Sequence, residues 1–386
     1  MRTVYFDHAA TTPLDERVLD TMIPFLKNQY GNANSPHHLG QQSKVAVEDA
    51  REKIAQLLGA EPSEIIFTSG GTESDNAAIS GALEVSGPKK EVITSKLEHH
   101  AVLHPIEMGK RKGFKPIYVT PQEHGVISTE SVKALMTDET ALISLMHVNN
   151  EIGVINPVQE IAAICREKKV PFHTDGVQSV GKIPINLHDL GVDLLSASGH
   201  KIYGPKGVGI LYVRNGTPWI PWMHGGSQER RRRGGTLNVP GIVGFVKALE
   251  LSISEMENNT THYKMLREYL FERLDAVLPG VAHFNGCKSE SVPHIINVSL
   301  VDESGRGVDG EMLILNLDIE GICVSNGSAC TSGAVEPSHV LTGLGVEAGA
   351  ARSSIRVSVG KQNTREDVDY LVNTLAKVLN RMFAVA

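Results

Sequence analysis

The sequence predicts an α/β protein: a large unit with a mainly parallel sheet sandwiched by helices, then a smaller α+β unit. Three observations carry this. Short apolar runs at 64–68 (EIIFT), 91–95 (EVITS), 141–148 (ALISLMHV), 170–174 (VPFHT), 194–198 (LLSAS) and 208–213 (VGILYV) are strand-like, and most are separated by helix-length stretches. That alternation is what βαβ crossovers produce. From about residue 258 it gives way to a long polar helix, short strands and a final helix. The length, 386 residues, allows two to three domains of roughly 150 residues each.

At the N-terminal end, Thr3 to Asp7 reads as a strand. Asp15 precedes Val18, Met22 and Leu26 at helical spacing, and Ala46, Ala50, Ile54, Leu57 and Leu58 repeat the pattern until Gly59 stops it. After 258, Met265, Leu266, Leu270 and Leu274 mark a helix, Ile295–Leu300 and Ile355–Val359 mark strands, and the last helix starts at Thr364. The expected division is a large domain over 15–257 and a small one over 1–14 and 258–386. The placement of the first strand in the small domain is one the sequence does not force by itself.

Hydrophobic residues make up 41% of the chain and charged residues 21%, which excludes disordered and fibrous classes. A net charge of -7 offers no basic field for nucleic acid or an anionic membrane, so neither is expected as a partner. No apolar run approaches the ~20 residues that span a bilayer. The start, MRTVYFDHAATTP, enters a strand without a signal-type apolar stretch, so a cytoplasmic protein is expected.

Several segments carry chemistry. FTSGGTESDN at 67–76 joins a strand, a Ser-Gly-Gly-Thr turn and a helix start, where N–H groups, a hydroxyl and a helix dipole converge on an anion. Taken alone it equally fits an ordinary capped turn. LLSASGHKIYGPKGVG at 194–209 is not a nucleotide P-loop, because Pro205 and Gly207 replace the required Lys and Ser/Thr. It sets Ser198, His200 and Lys201 at a strand end, and a lysine nucleophile there must be kept deprotonated by desolvation or nearby cations. Asp175, just past another strand, reads as a helix cap or as a carboxylate holding a protonated ring nitrogen, with Gln178 three residues on. His100 and His104 are spaced i, i+4, yet no Glu stands at 101 and no cysteine lies nearby, so no metal is expected.

Four cysteines form neither a CxxC pair nor a disulfide framework. Cys165 and Cys323 lie in apolar segments and read as inert core residues, and Cys287 reads as a surface loop residue. Cys330 differs: it sits in the small-residue run Asn326-Gly-Ser-Ala-Cys-Thr-Ser-Gly333, where a thiol can be exposed and nucleophilic. Arg230 to Arg233 is a basic run too short for a nucleic-acid claim and reads as a solvated loop.

Together, YFDHAATTP at 5–13, TSGGTESDN at 68–76, HVNNEIG at 147–153, DGVQSVGK at 175–182, SGHKIYGPKGVG at 198–209, RRGGTLNVPGIVG at 232–244, GSACTSG at 327–333 and SSIRVSVG at 353–360 resemble the class V pyridoxal-phosphate enzymes of the cysteine desulfurase (NifS/IscS-like) family, nearly end to end. The resemblance implies the fold type I transferase architecture, a pyridoxal 5'-phosphate cofactor and a homodimer. It makes Lys201 the lysine that carries the cofactor, Asp175 the partner of its ring nitrogen and Gln178 that of its phenolic oxygen, with His99 stacked on the ring and moving protons. Gly71, Thr72, Ser198 and His200 would bind the phosphate, joined by Thr236 from the neighbouring subunit. Asn150 and Arg356 would hold the substrate carboxylate, and Cys330, in a loop at about 326–334, would accept sulfur as a persulfide. The implied reaction converts L-cysteine to L-alanine and passes sulfur to an acceptor such as an iron-sulfur scaffold, for cluster or other sulfur-cofactor biosynthesis. Selenocysteine cleavage and small amino-acid aminotransfer are the alternatives within the class, but neither requires Cys330. Asn326 stands where family members often have Ser, and the sequence ends at Ala386 without the longer tail of members that dock a scaffold.

Overall fold

The computed structural model describes residues 2–326 and 337–385. In chain order the strands are β1 (Val4–Tyr5), β2 (Ile65–Thr68), β3 (Glu91–Ser95), β4 (Lys115–Val119), β5 (Thr140–Ser144), β6 (Phe172–Asp175), β7 (Leu194–Ser198), β8 (Gly209–Val213), β9 (Ala282–Asn285), β10 (Ile295–Leu300), β11 (Ile322–Cys323) and β12 (Ser354–Ser358). Seven form one sheet in the order β2-β8-β7-β6-β5-β3-β4. β8 runs antiparallel to its neighbours β2 and β7, and the other pairings are parallel. It follows that β2, β7, β6, β5 and β3 all deliver their carboxyl ends to one edge. This edge is where ligands collect in such sheets.

Burial follows the strand period of two. Ile65 and Phe67 of β2, Ile143 of β5, Leu195 of β7, and Ile210 and Tyr212 of β8 enter one apolar cluster with Ile54 and Leu58 of the helix His38–Leu58 and Phe245 of the helix Val239–Ser254. Ile66, Leu142, Leu194 and Leu211 face the other way, against Ile79 of the helix Gly71–Glu84 and Val102 and Ile106 of the helix His100–Gly109. Both faces are therefore covered, as the continuous apolar runs require. The helix His38–Leu58 stops at Gly59, whose φ of 66° is left-handed and where a Cβ would lie 2.4 Å from the Asn186 side chain.

A second core gathers Leu266, Leu270 and Leu274 of the helix Met256–Val277 with Val298 of β10, Ile355 and Val357 of β12, and Leu371 and Leu375 of the last helix. Val4 and Phe6 belong to this core. β1 pairs in parallel with β11, and Asp7 bridges to Ser358.

Three strand expectations need correction, the first being β9, since no strand was expected at 282–285. β4 was not foreseen: its sequence KPIYV is broken by Pro116, which is tolerated because β4 is an edge strand. The run expected over 141–148 ends as a strand at Ser144, because Met146 N donates to the Glu98 carboxylate rather than to a neighbouring strand. Cys323 also departs from expectation: it lies in β11 but is half-buried, whereas Cys165 is fully enclosed.

Candidate active site

The strand ends open into a cavity of about 350 Å³. β2 ends at Thr68, and after Gly70 the helix Gly71–Glu84 begins with its N–H groups at the cavity, where Gly71 and Thr72 line the wall. Gly70 has a φ of 149°, and a Cβ on Gly71 would come within 2.6 Å of Val177 Cγ2, so the turn depends on its two glycines. β7 brings Ser198, and the short turn after it adds His200 and Lys201. β6 brings Asp175, with Gln178 beyond it. His99 caps the helix His100–Gly109 by accepting from Ala101 N through Nδ1 at 3.1 Å, and its ring is open to the cavity. Asn150 and Arg356 complete the wall.

Lys201 Nζ donates to the carbonyls of Ala9 and Ala10, both at 2.7 Å. Burial first, and then the Arg356 charge, push its amine down to about 8. Gln178 donates to Ala9 O at 2.9 Å while its Oε1 accepts from Lys182 Nζ at 2.6 Å. Burial and then the neighbouring Asp75 push Asp175 up to about 7. His99 and His200 are both pushed down to about 4, by desolvation first and then by Lys201, so they are neutral at physiological pH.

The sequence reading missed three acids that the fold brings in. Asp7 accepts from Arg356 Nη2 at 2.8 Å while Nη1 donates to Asn150 O at 2.9 Å, which fixes the guanidinium. Arg356 Nε is buried without a hydrogen-bond partner among the described residues. Asp75, fully buried and lining the cavity, lies 3.4 Å from His173 Nε2. Glu98 is buried too, and burial raises it well above the ordinary carboxylate range. Asp7 and Asp75 lie within quoted motifs, but nothing in the local pattern distinguishes them from cap or surface acids.

Thr236 is exposed on a loop and does not line its own chain's cavity. That loop is anchored twice. Arg233 makes a two-pronged contact with Glu73, at 2.8 and 3.0 Å, and Glu73 in turn accepts from Ser69 N. Glu229, buried with Arg51, takes two of its guanidinium nitrogens at 2.7 and 2.9 Å and also caps Phe67 N. The expected nucleophile Cys330 lies outside the described residues. Among the described residues, no group of three His, Cys, Asp or Glu side chains is placed to hold a metal, and no helix is long and apolar enough to cross a membrane.

Chemically, one end of the cavity suits an anion, the buried Asp175 suits a protonated ring nitrogen, and a reactive amine stands between them. A planar ligand with a phosphate on one side and a basic ring nitrogen on the other fits these residues. The aminotransferase class-V family model matches residues 4–371, and the chain belongs to that family. Among its relatives, a cysteine desulfurase IscS of Dictyoglomus turgidum is 47% identical over 100% of this chain and 96% of its own. One from Methanosarcina thermophila is 44% identical over 99% and 93%. A solved NifS-like protein superposes with a TM-score of 0.91 at 40% identity, covering 98% of this chain and 100% of that one. A structure of SspA in complex with cysteine gives 0.81 at 36% identity, covering 92% and 99%.

Proposed function

We propose that this chain is a pyridoxal-phosphate-dependent cysteine desulfurase that converts L-cysteine to L-alanine and retains the sulfur as a persulfide on Cys330. The observation that carries this reading is the convergence of Lys201, Asp175, the Gly71–Thr72 helix start and Arg356 on one cavity, in a chain of a family whose relatives bear that name. Gly71, Thr72, Ser198 and His200 would hold the phosphate, Asp175 the ring nitrogen and Gln178 the phenolic oxygen, while His99 would stack on the ring. When bound, the cofactor supplies an electron sink for the substrate's α-carbon.

The chain's own groups do the rest. Arg356 and Asn150 orient the substrate carboxylate, a task for which a guanidinium fork is suited. Lys201, whose amine has a lowered pKa, takes the α-proton. The Cys330 thiolate forms a bond to the substrate sulfur as the carbon–sulfur bond breaks, and the carbon framework leaves, reprotonated, as alanine. The proposed assembly is a homodimer with Thr236 of each chain reaching the other's phosphate, and the sulfur then passes to an acceptor protein such as an iron-sulfur scaffold. Domains over 15–257 and over 1–14 with 258–386 are part of the same reading, supported by the two separate cores. So is a cytoplasmic location, where thiols stay reduced.

Mass spectrometry after brief exposure to cysteine, without reductant, tests the proposal. Cys330→Ser should stay yellow and bind cysteine but gain no sulfur, while Cys165→Ser, Cys287→Ser and Cys323→Ser should still form the persulfide. Added sulfur on another cysteine, or normal alanine release by Cys330→Ser, would refute it.

A further inference from the structure

Lys201 also lines a second, smaller cavity of about 40 Å³, whose lining does not include His99. Its walls include His8, Lys182, Lys201, His294 and Lys361. Two of these leave buried polar atoms without a hydrogen-bond partner among the described residues: His8 Nδ1 and His294 Nε2, on residues 6% and 5% exposed. Lys182 is half-buried, and its Nζ donates to the neutral Gln178 amide. Among the described residues no carboxylate pairs with it, and Lys201 and Arg356 act on it as like charges. Lys361 is already answered by Glu255. Tyr203 and Tyr263 line it too, with the hydroxyl and amide residues Thr12, Ser252, Asn259 and Thr260.

A buried polar site of this kind is seldom left bare. Orphaned buried groups mark a bound water or ion, and the volume exceeds the ~10–15 Å³ that one water needs. Charge decides between the two, because among the described residues the lining holds three lysines and no carboxylate. We infer that the chamber formed by His8, Lys182 and His294 is a binding site for a single small monovalent anion of the halide class. The anion accepts from the Lys182 ammonium and from the imidazole N–H groups, and it supplies the counter-charge the fold omits.

The site bears on Lys201. Without the anion, burial and the cationic neighbourhood hold Lys182 well below its ordinary range, and burial and then Lys182 push His8 down to about 4. An anion stabilises the protonated forms, so its arrival raises the basicity of the amines around it, Lys201 included. Chloride concentration then sets the pH at which the catalytic amine loses its proton.

Two measurements test this. Crystals of the full chain soaked in bromide should show an anomalous-scattering peak between His8, Lys182 and His294, and crystals of Lys182→Met should show none. This arm needs no cofactor, so its failure is distinguishable from failure of the function proposed above. In solution, the pH midpoint of the bound cofactor's absorbance change should lie higher in bromide than in gluconate at equal ionic strength, by about half to one unit. Lys182→Met should lose that dependence. Water density alone in the wild-type crystals overturns the inference. So does a bromide effect that survives in Lys182→Met, and a peak with no solution effect would mark an adventitious ion only.

Discussion

Burial favours the functional state of Lys201, a neutral amine, and opposes that of Asp175, a carboxylate. An amine that titrates near 8 rather than ~10.4 binds fewer protons folded than unfolded between those values, so it makes the cofactor-free protein gain stability as pH rises through that window. Asp175, raised to about 7, does the opposite. The folded chain holds an extra proton between ~4 and about 7, and stability falls as pH climbs through that range. Asp175→Asn should therefore raise the melting temperature of the cofactor-free protein at pH 8, have little effect at pH 5, and weaken cofactor retention at both. Calorimetry at the two pH values checks the sign, and equal shifts would show that Asp175 carries no buried charge. Cofactor attachment to Lys201 should speed up with pH and level off above about 8, as stopped-flow absorbance would record. Arg356→Lys removes the fork while keeping the charge, and KM for cysteine should rise roughly 10- to 100-fold, the equivalent of about 1.5–3 kcal/mol in a charged hydrogen bond.

Among the elements, the turn around Glu229 has the most at stake. Glu229, Arg230 and Arg231 all have positive φ, at 44°, 56° and 67°, which non-glycine residues seldom adopt. The buried Arg51–Glu229 pair holds this turn and, through Phe67 N, the strand ahead of the Gly71 helix start. Glu229→Gln leaves the buried Arg51 with only the half-buried Glu48, 3.4 Å away, as counter-charge and should cost about 1–3 kcal/mol of stability, measurable by denaturant unfolding. Legibility also divides by element. β3, β7 and β10 were readable residue for residue because each is an uninterrupted buried strand, and the two helix limits at Asp15 and Gly59 were written in cap chemistry. β4 was hidden because an edge strand tolerates Pro116 and Lys115. The cavity residues on strand ends were legible as motifs, since each sits beside its own strand. Asp7, Asp75 and Lys182 were not, because their significance lies in partners far along the chain: Asp7 finds Arg356, and Asp75 finds His173.

For the whole molecule, the exposed loop that carries Thr236 makes a definite claim about assembly. Light scattering should give a mass near twice 41.7 kDa. Thr236→Val should leave that mass unchanged while cofactor affinity falls roughly tenfold or more, the loss of one hydrogen bond to a charged group. A monomer that retains full cofactor affinity would rule out the shared site. The first strand has a consequence of a different order, in time rather than space. Val4 and Tyr5 find their pairing partners at Ile322 and Cys323, and the carbonyls of Ala9 and Ala10 hold the Lys201 amine. At ribosomal speeds of roughly 5–20 residues per second, the opening segment leaves the ribosome roughly 15–60 s before its partner strand exists. For that interval Val4 and Tyr5 lack their partner strand, whereas Ala9 and Thr12 already have Gln178 and His200 to meet. Arg356, whose charge adds to burial in lowering the Lys201 amine, is made later still, so that part of the lysine's poise appears only when synthesis has passed residue 356.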